Sequence, residues 1–150
     1  MADFLEPNLE VFLDKLNDLS SDIPAQWGTM NLQQMIEHLS NSLDLSIGQL
    51  ETKLSIDEEH VPRAVESLIS EKPMPRGFKV AYAPENPVVR NESLELAIDE
   101  LATKWVDFEE YYMEKSDAKN LHPMYGHLDY TLWLRVHSKH FTHHFEQFDL

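Results

Sequence analysis

Apolar residues recur at helical spacing in several long segments of the chain. The segments are 8–19, 31–54, 58–71, a stretch from about Asn91 or Ser93 to Tyr112, and 130–148. In each of them the apolar side chains follow three- and four-residue steps, which place them on one face of an α-helix. The segment 58–71 could form a shorter helix in addition to the main ones. The pattern therefore predicts an all-α protein with four main helices.

Residues that cap helices indicate where two of these helices begin. Asn31 can cap the second main helix, and Gln34, three residues later, completes a capping-box pattern. Asp129 can cap the last helix. Pro7 suits the first turn of the first helix, because that turn needs no amide donor.

Since no repeat and no persuasive strand is visible, residues 1–150 are predicted to form a single domain, a four-helix bundle.

A long loop is predicted between the second and third main helices. A continuous helix from Lys72 to Val89 is excluded by Pro73, Pro75, Gly77, Pro84 and Pro87. Loops of this length are often functional. This one has a local excess of basic residues, with Arg76, Lys79 and Arg90 in or beside it. Both a functional loop and a surface excursion that covers the bundle agree with the sequence.

The last helix contains half of the histidines in the chain. At ~100° per residue, His140, His144 and Gln147 share one strip of this helix, with His137 at its edge. His143 points to one side of the strip. Residues four apart are neighbours on a helix, so His140 and His144 can hold one ion between them. A catalytic site of the zinc type needs a third protein ligand.

His38 is the candidate for that third ligand. It lies on the second main helix, at the flank of the apolar stripe that would face the core. Three neutral imidazoles would leave a coordination position open for water or a substrate. An all-nitrogen site suits zinc, nickel, copper or iron better than magnesium or calcium. The residues alone leave an alternative open, in which His38 is a histidine satisfied at a helix interface and the C-terminal run is histidine-rich surface.

Composition and charge restrict the partners. A formal net charge of −15 disfavours nucleic acid, because phosphate binding needs a basic surface. No apolar run approaches the ~18 residues of a membrane span, and the first residues lack the features of a signal peptide. We therefore expect a cytoplasmic protein without a membrane partner. Because the chain has no cysteine, a thiol nucleophile would have to arrive with a substrate.

Two segments resemble the DinB-like (YfiT-like) superfamily of metal-binding four-helix bundles, and more specifically a DinB-related bacterial family of unknown function. Residues 30–39, Met-Asn-Leu-Gln-Gln-Met-Ile-Glu-His-Leu, are similar to the second-helix segment that ends in a metal-binding histidine. Residues 122–126, His-Pro-Met-Tyr-Gly, followed by Trp133 and 140–148, are similar to the final helix, in which two histidines are four residues apart. The resemblance implies that His38, His140 and His144 are metal ligands.

The resemblance also implies an up-down-down-up bundle and a divalent metal, Zn²⁺ or Ni²⁺. Members of the superfamily include thiol S-transferases, a thiol-dependent isomerase and proteins described as metal-dependent hydrolases. We therefore expect an enzyme that activates water or a small-molecule thiol towards a small-molecule substrate. The alternative is a non-catalytic bundle that binds a ligand or partner and has a vestigial or structural metal site.

Three predictions remain: two concern the centre and its surroundings, and one concerns self-association. Gln147, His137 and His122 are candidates for contacts around the ligands or at the rim of the site. The ligand nitrogens are expected within about 3–4 Å of one another, as bonds of ~2.0–2.1 Å to one ion require. Self-association as a homodimer is compatible with the sequence.

Overall fold

The computed structural model describes residues 4–76 and 87–150, and helices predominate in them. The described residues form five α-helices: α1 Leu9–Leu16, α2 Leu32–Ser46, α3 Val61–Ile69, α4 Leu94–Glu114 and α5 Tyr130–Gln147. A 3₁₀ turn, Glu58–His60, precedes α3. Two short strands, β1 Asn120–His122 and β2 Gly126–Leu128, lie between α4 and α5. The mostly helical class predicted from the sequence is confirmed.

The two helices that contain the proposed ligands begin where the sequence predicts. At the start of α2, the Asn31 side chain accepts from the backbone N of Gln34 at 2.8 Å, and the Gln34 side chain accepts from the backbone N of Asn31 at 2.8 Å. At the start of α5, Asp129 accepts from the backbone N of Leu132 at 3.0 Å. In α1, however, Asn8 is the cap, so Pro7 precedes the helix and is not in its first turn.

The hairpin of β1 and β2 corrects the prediction that the chain has no strand. The strands pair antiparallel, with Asn120 opposite Leu128 and His122 opposite Gly126. Gly126 has a φ of +77°, a left-handed conformation that glycine adopts readily. Strands of three residues are too short to show the alternation of apolar and polar positions by which strands are recognised.

The end of α2 also differs from its prediction, because the helix stops at Ser46 and does not run to about residue 54. Gly48 follows with a φ of +76°, and its backbone N donates to the carbonyl of Leu45 at 3.1 Å. The backbone N of Gln49 donates to the carbonyl of Asp44 at 2.9 Å. This left-handed turn satisfies carbonyls at the helix end and turns the chain away from the helix axis.

Part of the predicted loop 72–89 lies outside the described residues, including Gly77, Lys79 and Pro84. Arg90 and Asn91, which follow this loop, are attached to α2 through Glu37. The Glu37 carboxylate accepts from the backbone N of Arg90 at 2.8 Å and from the backbone N of Asn91 at 3.0 Å. Burial raises the pKa of Glu37, but these hydrogen bonds outweigh burial and the pKa is lowered. Glu37, the residue before His38, thus attaches α2 to the segment that leads into α4.

Aromatic residues fill the core between the helices. α2 packs against α4 and α5, α1 packs against α4, and α3 packs against α5. The largest fully buried side chains include Phe12, Phe108, Trp133, Phe141 and Phe145. The rings of Phe12 and Phe141 are 4.3 Å apart between centroids. One face of α5 is therefore fixed in the core, which sets the direction of its neighbouring histidine strip. None of the helices in the described part of the chain has the length and apolar character needed to cross a bilayer.

Candidate metal centre

α2 and α5 bring the three predicted ligands together. The Nε2 atom of His140 lies 2.9 Å from Nε2 of His38 and 3.0 Å from Nε2 of His144. His140 and His144 are buried, and His38 is partly buried. Two nitrogens bonded at ~2.0–2.1 Å to one ion cannot be more than ~4.2 Å apart. The two pairs that include His140 meet this limit, and all three nitrogens lie within 4.8 Å of one another. The three imidazoles can therefore face a single ion.

Burial keeps all three imidazoles neutral at ordinary pH. It lowers the pKa of His38 to about 4, with a further contribution from the nearby His143. Burial and the neighbouring histidines lower the pKa values of His140 and His144 well below the usual 6.5. A neutral imidazole has a lone pair on one ring nitrogen, which is the form that binds metals. The centre is thus a cluster of neutral nitrogen donors.

Gln147 determines which nitrogen of His144 has the lone pair. Its side-chain Nε2 donates to the carbonyl of Trp27 at 2.8 Å, so its Oε1 faces Nδ1 of His144, also at 2.8 Å. An amide oxygen only accepts, so Nδ1 of His144 is the N–H donor and Nε2 has the lone pair. That lone pair points towards His140. The predicted place of Gln147 beside the ligands agrees with this geometry.

The segment 26–28 holds Gln147 from the other side. The backbone N of Gln26 donates to the carbonyl of Gln147 at 2.6 Å. Gly28 has a φ of +81°, and a Cβ atom there would lie 2.6 Å from Nε2 of Gln147. Only glycine fits this close approach without displacement. This segment was not among the predicted site residues. Its one signal in the sequence is a glycine, Gly28, directly after Trp27.

His137, predicted to lie around the ligands or at the rim of the centre, is placed in the aromatic core next to the histidine strip. It is fully buried, and its ring is in contact distance of the rings of Trp105, Phe108, Trp133 and Phe141. Neither ring nitrogen has a hydrogen-bond partner among the described residues. At 100° per residue, its helical position falls between the strip of His140 and His144 and the strip of Phe141 and Phe145. Packing against the core decides the side.

His122 is likewise a structural residue of the hairpin in this structure. Its Nδ1 accepts from the backbone N of Met124 at 3.0 Å, inside the turn between the strands. Its ring packs against the rings of Tyr125 and Trp133. Burial lowers its pKa to about 3. Its Nδ1 is thus used within the turn, and a place around the ligands stays a prediction.

His143 points to one side of the strip, as the sequence predicts. Its ring lies 5.7 Å from the ring of Trp27 and 4.9 Å from that of His144, measured between centroids. A second group of potential ligands, Asp57, Glu59 and His60, lies on the surface and is exposed to water. Exposed acidic groups of this kind are common without an ion, so the three-histidine cluster is the candidate centre.

The comparisons with known proteins give a family and no activity. A family model described as "Protein of unknown function (DUF1569)" matches residues 4–149. No curated protein and no solved structure matches the chain. The function therefore has to be inferred from the side chains themselves.

Proposed function

The chain belongs to the family described as a protein of unknown function (DUF1569), and from its centre we propose a metal-dependent enzyme. His38, His140 and His144 hold one divalent ion, Zn²⁺ or Ni²⁺. The observation behind this proposal is the convergence of three neutral Nε2 atoms at 2.9 and 3.0 Å. The donor set fits a borderline metal, because nitrogen ligands suit zinc and nickel better than they suit magnesium or calcium.

We also propose that the architecture is a DinB-like four-helix bundle formed by α1, α2, α4 and α5. The packing of α2 on α4 and α5, and of α1 on α4, supports this arrangement. The position of the histidine pair on the last helix, with a third histidine on the second main helix, supports it too. α3 and the hairpin would then be additions to the bundle.

Three protein ligands leave room for a reacting molecule. A bound divalent ion would supply Lewis acidity, which makes a water or a thiol more acidic and more nucleophilic near neutral pH. The chain's own residues orient the donors: Gln147 fixes the tautomer of His144, and the buried surroundings keep the imidazoles unprotonated. The reaction class is hydrolysis or transfer of a small-molecule thiol to an electrophile. The thiol comes from outside, since the chain has no cysteine.

Metal analysis tests the ligand set. Protein purified without a histidine tag and reloaded with Zn²⁺ should hold about one ion per chain, in line with a three-histidine site. His38→Ala should reduce the content to a trace after desalting, because two histidines bind an ion weakly. His127→Ala is the matched control, since His127 is exposed on β2. Equal metal content in the two variants would exclude the proposed ligand set.

Cobalt substitution tests the open coordination position. Co²⁺-loaded protein should develop a thiolate-to-metal absorption band when a small thiol such as 2-mercaptoethanol is added. The same titration with His140→Ala should give no such band. A cobalt protein with unchanged absorption would have a closed centre. That result would favour a metal that only stabilises a ligand-binding bundle.

A further inference from the structure

A cavity of about 240 Å³ lies beside α5, and its lining does not include the three proposed ligands. Phe4, Trp27, Pro73 and Met74 form its apolar wall. The polar side chains that line it come from Arg76 and from the face of α5 next to the histidine strip. Apolar walls with a few polar groups are typical of sites for small molecules.

Lys139 is the buried cation of this cavity. Its side chain is only 3% exposed. Its Nζ donates to the carbonyl of Ser67 at 2.9 Å and to the carbonyl of Lys72 at 2.6 Å. An ammonium group has three N–H bonds, and no acceptor in the described part of the chain takes the third. A buried donor without an acceptor indicates that a ligand atom can complete its hydrogen bonds.

The charges around the cavity favour an anion. Arg76 holds its guanidinium 3.7 Å above the ring of Trp27, at the edge of the cavity. Glu146 is the carboxylate among the lining residues, so two cations face one anion. This local excess of positive charge occurs in a chain whose formal net charge is −15. Thr142 has both its donor and its acceptor satisfied within the fold, since it donates to Ser138 and accepts from the backbone N of Leu5.

We propose that this cavity binds a small organic carboxylate with an apolar body of about the size of benzoate. The carboxylate accepts from Nζ of Lys139, and the body lies against Trp27 and Phe4. One water molecule needs only ~10–15 Å³ of such volume, so about 240 Å³ has room for an aromatic ring with its carboxylate. A hydrogen bond between a buried ammonium and a carboxylate is among the stronger ones in proteins.

The cavity is one side chain away from the proposed metal centre. The ring of His143 lines the cavity, and its centroid is 4.9 Å from that of the His144 ring. A carboxylate held at Lys139 would place the rest of a longer substrate near the three histidines. Binding of the carboxylate itself does not require the metal, so the inference goes beyond the proposed function.

Calorimetric titration of the full-length, metal-free protein with benzoate tests the inference. EDTA is included so that a carboxylate cannot bind through a metal. Benzoate should bind at one site per chain, about tenfold more tightly than the neutral isostere benzamide, because benzamide lacks the charge. Binding of benzamide as tight as that of benzoate would overturn the proposal. Binding of inorganic phosphate in preference to benzoate would also overturn it, since phosphate has no apolar body.

Three variants locate the binding. Lys139→Met should weaken benzoate binding at least tenfold and leave benzamide binding nearly unchanged. Because Lys139 also holds two carbonyls and its loss could unfold the chain, Met74→Trp is a second variant that fills the cavity and keeps every charge. It should abolish benzoate binding. Arg63→Gln removes an exposed cation of α3 and is the matched control, which should bind benzoate as the parent does.

The outcome of this test is separable from that of the proposed function. His140→Ala should lose the metal and still bind benzoate as tightly as the parent. If benzoate binding were lost in His140→Ala, or retained in Met74→Trp, the cavity would not be the binding site. If benzoate bound as proposed while the parent protein bound no metal, the cavity would be supported as a carboxylate site and the proposed metal centre would be wrong.

Discussion

Gln147 joins the proposed metal centre to the N-terminal half of the chain. It accepts from His144 and donates to the carbonyl of Trp27, both at 2.8 Å. Partners that orient a ligand histidine affect metal affinity strongly, and their loss typically weakens binding about 10–100-fold. We therefore expect Gln147→Leu to weaken Zn²⁺ binding by about this factor, measured by competition with a chromophoric chelator.

Glu146→Gln is the control for that measurement. Glu146 is the exposed neighbour of Gln147 on α5, and its side chain does not contact the ligands. The variant should bind Zn²⁺ as tightly as the parent. If Gln147→Leu also kept the parent affinity, the hydrogen bond to His144 would contribute nothing to metal binding.

His143 and His144 are adjacent in the sequence and are expected to respond in opposite ways to substitution. His144→Ala should abolish stoichiometric metal binding, because it removes a ligand nitrogen from a set of three. His143→Ala should keep the metal, since the ring of His143 faces Trp27 and the cavity beside α5. Its effect on stability should stay near the ~1 kcal/mol of an ordinary point mutation. Metal analysis of both variants, with urea unfolding, checks this. The reverse result would mean that the ligands are three residues apart.

The sequence predicts which histidines of α5 share the strip with His140, but it does not predict where the His137 side chain packs. Angular position alone separates His140 and His144 from His143. His137 falls between the polar and the apolar strip, so its side is decided by the rings of Trp105 and Phe108 on another helix. Such contacts between distant segments have no local signature in the sequence.

Among the elements, the connector 26–28 has the most direct effect on the centre. Gly28 adopts a φ of +81°, and a Cβ atom there would lie 2.6 Å from Nε2 of Gln147. Gly28→Ala should therefore reduce stability by about 1–3 kcal/mol and weaken metal binding as well, because the new methyl displaces Gln147. Urea unfolding and chelator competition measure the two effects.

Gly48→Ala is a control with matched strain. Gly48 has a φ of +76°, and a Cβ atom there would lie 2.9 Å from Oδ1 of Asn120, at the hairpin. This variant should lose stability to a similar extent and keep the Zn²⁺ affinity of the folded protein. If both glycine variants weakened metal binding equally, general loosening of the fold would explain the effect, and the connector would have no special role.

Elements whose signals are local were predicted well, and those that depend on pairing were not. The capping box of Asn31 and Gln34 and the cap Asp129 involve residues three apart, so their start points follow from the sequence. The end of α2 had a local signal, too, in Gly48, but the apolar stripe that continues beyond it outweighed that signal. The hairpin depends on a register between two segments of three residues, which no periodicity within either one reveals.

The number of buried neutral histidines is the feature of the whole molecule that should most affect how its stability depends on pH. The pKa values of His122 and His137 are lowered to about 3, and that of His38 to about 4, in each case mainly by burial. The pKa values of His140 and His144 are also lowered well below 6.5, which makes five such residues. In the unfolded chain all five would titrate near 6.5.

The sign of the resulting pH dependence follows from proton counts. Below pH ~6.5 the unfolded chain binds protons that the folded chain does not, so stability falls as the pH falls towards the folded pKa values. By pH ~5.5 each of these histidines should lower the free energy of unfolding by roughly 1 kcal/mol, and the five together by roughly 5 kcal/mol. Domains are typically stable by only ~5–15 kcal/mol. We therefore expect the metal-free protein to unfold between about pH 6 and 5, measured by circular dichroism and urea unfolding.

His137→Phe separates this effect from acid destabilisation of other origin. Phenylalanine keeps an aromatic ring among Trp105, Phe108 and Phe141 and removes the group that takes up a proton on unfolding. The variant should therefore gain about 1 kcal/mol on the parent at pH ~5.5 relative to pH ~7.5. His127→Phe, on an exposed site of β2, should show no such relative gain. A parallel pH dependence of the parent and His137→Phe would mean that folding does not lower the pKa of His137. Bound Zn²⁺ should shift the transition of the parent to lower pH, because binding to the folded state alone stabilises it against the protons that compete for the ligands.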